Sequence, residues 1–150
     1  MAVNPDIQGR SYPPGEPYSV SREVIRNFAE ATKATHPAYT DVAAARELGY
    51  DDLLAPPTFA VIIAQRSDAR LVRDPEAGID FSRVVHGSQQ FIAHRPIIAG
   101  DKLVAELHVD SIRLVGGNAM VTTRSEIMDA DSQEKVVTAI SALVVRGDDA

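Results

Sequence analysis

The chain contains four histidines, His36, His86, His94 and His108, and no cysteine. A histidine near a carboxylate is the pairing most often used to move protons at neutral pH. His36 and Asp41 stand five positions apart and could form such a dyad across a loop. The same spacing fits a histidine that bonds its own loop and an aspartate that caps a helix, and we favour these structural roles.

A second group of polar side chains surrounds His86 in an otherwise apolar stretch. In a regular strand His86, Ser88 and Gln90 would share one face, and Gln89 and Phe91 would share the other. Two interpretations stay open. The group marks a binding site or subunit edge, or it consists of polar side chains satisfied within a sheet.

The sequence gives no reason to expect a metal or another cofactor. No His, Asp and Glu cluster has metal-site spacing, no glycine-rich phosphate loop is present, and thiolate ligands are excluded because cysteine is absent. His94, Arg95 and Lys102 flank a turn and could meet the phosphates of a ligand. We favour solvated turn charges there.

Composition favours one globular domain over residues 1–150, because 45% of the residues are hydrophobic and 24% are charged. No apolar run approaches the roughly 20 residues that span a membrane, and residues 1–10 do not resemble a secretory signal. The net charge of −6 with dispersed basic residues argues against nucleic-acid binding. We therefore expect a cytoplasmic protein without membrane or nucleic-acid partners.

The first half of the chain carries helical patterns between loops. Ser21 and Asp41 are suitable helix caps, and Pro57 suits a first helical turn. The expected elements are an extended lead-in over 4–17, a short strand over 18–20, a helix over 22–33, a short helix that Asp41 caps and that stops at Gly49, and an apolar helix over 59–64. The charged segment 67–82, with Pro75 and Gly78, predicts a long surface connection.

Apolar and polar residues alternate in the second half, which predicts strands. Gly116-Gly117-Asn118 marks a hairpin turn, and Val136 to Val145 is apolar on both faces, as expected of a central strand. Helices followed by about four long antiparallel strands indicate an α+β fold, in which one apolar helix lies in the concave face of the sheet. This is the hot-dog arrangement.

Three stretches, taken together and in order, resemble the MaoC-like dehydratases, and in particular their N-terminal, HadA-like type. The resemblance covers almost the whole chain. The stretches are Phe28-Ala29-Glu30-Ala31 through Thr35-His36-Pro37-Ala38-Tyr39-Thr40-Asp41 to Leu48-Gly49-Tyr50, then Leu54-Ala55-Pro56-Pro57-Thr58-Phe59, then Val85-His86-Gly87-Ser88-Gln89-Gln90-Phe91 to Arg95-Pro96-Ile97-Ile98-Ala99-Gly100-Asp101-Lys102-Leu103.

The resemblance also shows what this chain lacks. Active members carry an Asp, four further residues and a His after the first helix, and the match places Ala34 and Tyr39 at those two positions. Alanine cannot transfer a proton, and tyrosine with a pKa near ~10 is a poor base at neutral pH. Pro56-Pro57 replaces the glycine-containing opening of the central helix, so one backbone donor is lost.

These losses, in a HadA-like chain, imply a subunit that binds the acyl chain of an acyl-ACP or acyl-CoA while a second hot-dog chain supplies the Asp and His. Hence no catalytic residue is expected in this chain. The candidate substrate-binding residues are Tyr39, Pro57, Thr58, Phe59, Ile62, His86 and Gln89.

Two alternatives remain. The chain could be a self-sufficient homodimeric enoyl-CoA hydratase or thioesterase that uses His36, Asp41 or His86. It could also be a homodimer that binds acyl thioesters without chemistry. A dimer is expected in every case, because a sheet of this kind leaves a long edge strand open to pairing.

Overall fold

A computed structural model describes residues 2–148; Met1, Asp149 and Ala150, at the ends of the predicted domain, lie outside the described range. The helices are α1 (Arg22–Ala31), α2 (Val42–Glu47) and α3 (Val61–Arg73). The strands are β1 (Ser11–Tyr12), β2 (Tyr18–Ser19), β3 (Val84–Ala93), β4 (Lys102–Val115), β5 (Asn118–Asp129) and β6 (Lys135–Val145). Short 3-10 helices cover Pro5–Ile7, Pro37–Tyr39, Pro75–Ala77 and Phe81–Arg83.

The strands form an antiparallel sheet in the order β1-β4-β5-β6-β3, and β2 also pairs with β4. Gly116 and Gly117 join β4 to β5 with φ values of 58° and 82°, the left-handed backbone that a tight hairpin requires. The prediction of four long antiparallel strands is confirmed. Strand β6 lies inside the sheet, as its apolar sequence indicated, and β3 lies at an edge.

Side-chain caps fix the starts of the first two helices. Ser21 Oγ accepts the Val24 N–H at 3.1 Å, and Asp41 Oδ1 accepts the Ala43 N–H at 3.0 Å. Helix α1 ends at Ala31 rather than at the predicted residue 33. The reason is local, because Lys33 adopts a left-handed backbone with φ 58°.

Helix α3 departs most from expectation. The predicted helix over 59–64 in fact begins at Val61, and Pro57 lies in the turn before it. The prediction of a surface connection over 67–82 is wrong for its first half, because the helix continues to Arg73.

One face of this helical extension is buried against the sheet. Leu71 is fully buried, and Ser67 and Asp68 are only 3% and 6% exposed. Of the charged residues in this extension, Asp68 lies on the buried face, Arg70 is half-buried and Arg73 is exposed. A buried polar residue, Asp68, therefore broke the apolar pattern that identifies a core-facing helix.

Two apolar clusters lie between α3 and the sheet. The first surrounds Phe59, whose ring is fully buried and meets the rings of Phe28 and Tyr18 edge-on, with centroids 5.4 and 6.4 Å away. The second contains Leu71, with Leu107 and other strand residues. Helix α3 contacts β4, β5 and β6, which confirms the predicted sheet wrapped around a central helix. Among residues 2–148, no helix is both long and apolar enough to cross a bilayer.

Candidate functional site

The loop after α1 holds the first set of sequence-predicted residues. His36 Nδ1 accepts the Ala38 N–H at 3.1 Å and so caps the 3-10 helix Pro37–Tyr39. Asp41 caps α2. Both side chains thus make local bonds to the backbone, in the structural roles that the sequence favoured over a dyad.

Ala34 and Tyr39 occupy the positions of the missing acid–base pair. The Ala34 N–H bonds the Ala29 carbonyl at 2.8 Å, which closes the end of α1. The Tyr39 ring packs against the core cluster around Phe59, and its centroid is 5.8 Å from that of His36. This loop brings no carboxylate and imidazole together for proton transfer.

The turn before α3 holds the second set. Pro57 and Thr58 are exposed, Phe59 is fully buried and Ile62 is half-buried. The Phe59 N–H already bonds the Pro56 carbonyl at 2.9 Å, so it is engaged within the turn.

A β-bulge in β3 changes which side chains share a face. His86 pairs with Leu143 and Ser88 pairs with Ala142, so Gly87 is the extra residue. A Cβ on Gly87 would lie 3.2 Å from the Ala142 carbonyl oxygen, a tight approach that favours glycine. The expectation that His86 shares a face with Ser88 and Gln90 is therefore wrong, since the bulge turns His86 to the face of Gln89.

A row of polar side chains crosses the inner face of the sheet. Gln89 on β3 lies opposite Ser141 on β6, which lies opposite Thr123 on β5. Ser141 Oγ donates to Gln89 Oε1 at 2.8 Å, and Gln89 Nε2 donates to the Ile140 carbonyl at 3.2 Å. Thr123 Oγ1 also donates at 2.7 Å to Oδ1 of Asp68, a residue of α3.

Asp68 is the buried carboxylate that sequence reasoning missed. Burial raises its pKa, while the hydrogen bond from Thr123, the nearby Ser141 hydroxyl and the nearby His86 act in the opposite direction. The sequence does contain a signal for such a buried partner. Gln89, Thr123 and Ser141 are polar residues at inward positions of apolar strands, and buried polar groups require hydrogen-bond partners.

A cavity of about 690 Å³ opens beside this polar row, between the second half of α3 and the edge of the sheet. Its size falls in the usual range for small-molecule sites. The lining residues are Gln65, Asp68, Ala69, Val72, Arg73, Phe81, Val84, His86 and Leu143. Phe81, 75% exposed, is the largest exposed ring on this lining. The cavity combines an apolar wall with one carboxylate, one imidazole and one guanidinium group.

The structure separates the predicted substrate-binding residues into two groups. His86 lines the cavity, and Gln89 joins it through the polar row. Tyr39, Phe59 and Ile62 instead belong to the core cluster at the start of α3.

Asp68→Asn gives a pH test of this polar row. A carboxyl with a raised folded-state pKa stabilises the fold below its unfolded pKa, near ~3.9, and this contribution is lost as pH rises through the folded pKa. Asparagine keeps an acceptor for Thr123 but does not ionise. The stability of the variant relative to wild type should therefore rise with pH above about 4 in urea unfolding. A difference that stays constant from pH 4 to 8 would contradict the assigned burial effect.

Arg95, the guanidinium of the predicted turn cations, is already ion-paired. Arg95 pairs with Asp101 at 2.9 Å, with Glu134 at 3.6 Å and with Asp129 at 3.9 Å. The hydrogen bond to Asp101 is the main reason that the pKa of Arg95 is raised. His94 Nε2 lies 3.0 Å from Thr138 Oγ1. Within residues 2–148, no three His, Asp or Glu side chains are grouped to hold a metal ion.

The sequence matches known families along nearly its full length. The model of the "FAS1-like, dehydratase domain region" matches residues 7–139. The UPF0336 protein Lxx02810 of Leifsonia xyli subsp. xyli is 54% identical over 149 residues, which are 99% of each chain. The UPF0336 protein SCO4636 of Streptomyces coelicolor is 46% identical and covers 97% of both chains.

Solved structures match the fold with substantial sequence identity. A chain of the C-terminally truncated HadBC (3R-hydroxyacyl-ACP dehydratase) complex from Mycobacterium tuberculosis superposes with a TM-score of 0.84 at 37% identity, covering 93% of this chain and 97% of that one. A MaoC-like dehydratase matches with a TM-score of 0.85 at 34% identity, covering 95% of this chain and 43% of that one.

Proposed function

The chain belongs to the FAS1-like dehydratase family, and on that premise we propose that it is the acyl-chain-binding subunit of a two-chain (3R)-hydroxyacyl thioester dehydratase in fatty-acid elongation. A second hot-dog chain would supply the catalytic Asp and His. One observation carries the proposal. The chain has an apolar cavity of acyl-binding size, while the dyad positions hold Ala34 and Tyr39.

Dehydration of a β-hydroxyacyl thioester needs a base for the α proton, an acid for the departing hydroxyl, and donors for the thioester oxygen. The loop from Ala34 to Asp41 provides neither of the first two, because its histidine and carboxylate serve as caps. The cavity beside α3 is suited to binding instead, because its apolar walls favour the transfer of an acyl chain out of water. This division favours binding here and proton transfer on a partner.

Strand β3 is the surface that best fits a hot-dog partner. It is the edge of the sheet, and its side chains Val85 and Ile92 are 48% and 50% exposed. Unpaired backbone groups and apolar side chains along an edge favour pairing with another strand. The cavity adjoins this edge through Val84 and His86, so a partner docked there would reach it. The similarity to a chain of a dehydratase complex supports the same partner class.

Hydration of an enoyl-CoA, the reverse reaction, tests the proposal. The purified chain should give no turnover above background, and its mixture with a hot-dog chain carrying Asp-x4-His should be active. The control mixes that partner with bovine serum albumin at the same concentration. Turnover by this chain alone would overturn the proposal, and acyl-CoA binding without turnover beside any such partner would favour a non-enzymatic binding module.

The Asp68–His86 arrangement favours one second candidate, a self-sufficient homodimer. These side chains line one cavity and interact electrostatically. His86 Nε2 also lies 3.1 Å from the Ser88 carbonyl oxygen, and Asp68 accepts from Thr123. If the isolated chain hydrates enoyl-CoA or hydrolyses acyl-CoA, His86→Ala and Asp68→Asn should each reduce kcat strongly. His108→Ala, on β4, is the matched control.

A further inference from the structure

Three arginines lie on one face of α3 without an ion-pair partner among the described residues. Arg66, Arg70 and Arg73 follow the i, i+4, i+7 spacing that aligns side chains along a helix. Among residues 2–148 none of the three has an acidic oxygen within 4.0 Å, although Arg10, Arg22, Arg83, Arg95 and Arg124 are all ion-paired. Three arginines without an ion pair in this part of the chain are unexpected in a protein with a net charge of −6.

These side chains line a second cavity of about 400 Å³, on the β4 side of α3. Arg66 stacks on the Tyr18 ring, with its guanidinium carbon 4.7 Å from the ring centroid. Arg70 donates to the Ala105 carbonyl at 2.8 Å and to the Pro13 carbonyl. Because neutral groups hold Arg70 in place, its charge is positioned but not neutralised.

Arg70 is partly buried, whereas Arg66 and Arg73 are exposed. Burial lowers the pKa of Arg70, since desolvation disfavours the charged guanidinium. The three guanidinium groups outnumber the one carboxylate, Glu16, that lines this cavity, so the cavity is complementary to an anionic ligand. Guanidinium groups also match the oxygens of phosphate in geometry.

The basic cavity adjoins the apolar one. Ala69 and Arg73 line both, so the two cavities meet along this ridge of α3. A ligand with an apolar chain and a phosphate group could place the chain in the apolar cavity and the phosphate in the basic one. Acyl-CoA and acyl-ACP are ligands of this kind, since each carries a phosphate on its pantetheine arm.

We propose that Arg66, Arg70 and Arg73 bind a phosphate group of the thioester carrier, an inference that rests on the acyl-binding function proposed above. Glu16 lines the same cavity, and its negative charge opposes the ligand. The site therefore predicts opposite effects for two neighbouring changes. Removing the arginine charges weakens binding, and removing the Glu16 charge strengthens it.

The test measures binding of 4′-phosphopantetheine, pantetheine and CoA by calorimetry, with no partner and no turnover. Arg66 and Arg73 make no side-chain hydrogen bond within the described residues, so their replacement leaves the fold intact. R66Q/R73Q should weaken phosphopantetheine binding by roughly tenfold or more, the usual range for losing charge-assisted bonds. E16Q should tighten binding, and Arg113→Gln, an exposed charge on β4, should leave it unchanged.

The ligands identify the source of the phosphate. Arginine-dependent binding of phosphopantetheine indicates the phosphate shared by CoA and ACP, and arginine-dependent binding of CoA alone indicates the nucleotide phosphates. Three results would each overturn the site. They are equal affinities for wild type and R66Q/R73Q, a loss of affinity in R113Q as large as that in R66Q/R73Q, and binding that does not depend on the phosphate. If R66Q/R73Q shows partner-dependent turnover with an unchanged KM, this phosphate site is rejected and the proposed function stands. If the chain binds the phosphate but gives no turnover beside any partner, the phosphate site stands and the proposed function is rejected.

Discussion

Val72→Trp in the active complex is expected to lower kcat/KM for long-chain enoyl-CoA by roughly a hundredfold and to spare short-chain substrates. Val72 lines the 690 Å³ cavity on α3, and an indole there fills the space of several methylenes. Each methylene left unburied costs about 0.8 kcal/mol, so four of them account for a loss of this size.

The control is Leu48→Trp, which places the same ring at a site that is 56% exposed, next to α2. It should leave the chain-length profile unchanged. Because the natural chain contains no tryptophan, the new ring is also a fluorescent reporter of the cavity. Acyl-CoA should change the emission of the Val72 variant only. Unaltered long-chain kinetics in that variant would show that the acyl chain binds elsewhere.

Phe59→Ala is expected to lower the free energy of unfolding by about 3–5 kcal/mol, the usual cost of emptying a buried aromatic site. The ring is fully buried and contacts two other rings edge-on. Domains of this size are stable by only about 5–15 kcal/mol, so the variant should be close to unfolding.

Urea unfolding followed by circular dichroism measures the change. Phe81→Ala removes a ring that is 75% exposed and should shift stability by less than about 0.5 kcal/mol. Phe59→Leu should recover part of the loss because it refills much of the volume. If Phe59→Ala remained as stable as Phe81→Ala, the assigned core at the start of α3 would be wrong.

The sheet was predictable because its signals are local. Alternating residues over Leu103 to Val109 and the Gly116-Gly117 turn determine strand and hairpin without reference to distant parts of the chain. The caps at Ser21 and Asp41 were predictable for the same reason, since each serves a backbone N–H two or three residues away.

The cavity was not predictable because its parts meet only in three dimensions. Asp68 looked like a surface residue until the inward-facing Thr123 gave it a partner 55 positions away. The Gly87 bulge reversed the faces of β3, and strict alternation cannot represent an inserted residue. The sequence thus identified His86 and Gln89 as site residues. It did not identify Asp68 as their neighbour, nor that His86 and Gln89 share a face of the sheet.

In the proposed dehydratase this chain binds the acyl group, while another chain performs the proton transfers. The most direct measurement is enoyl-CoA hydration by this chain mixed with a hot-dog partner, compared with the same mixture in which the partner's dyad histidine is replaced by alanine. We expect partner-dependent turnover that falls at least a hundredfold in the second mixture, because a general base has been removed. Equal rates in the two mixtures, or full activity of this chain by itself, would contradict it.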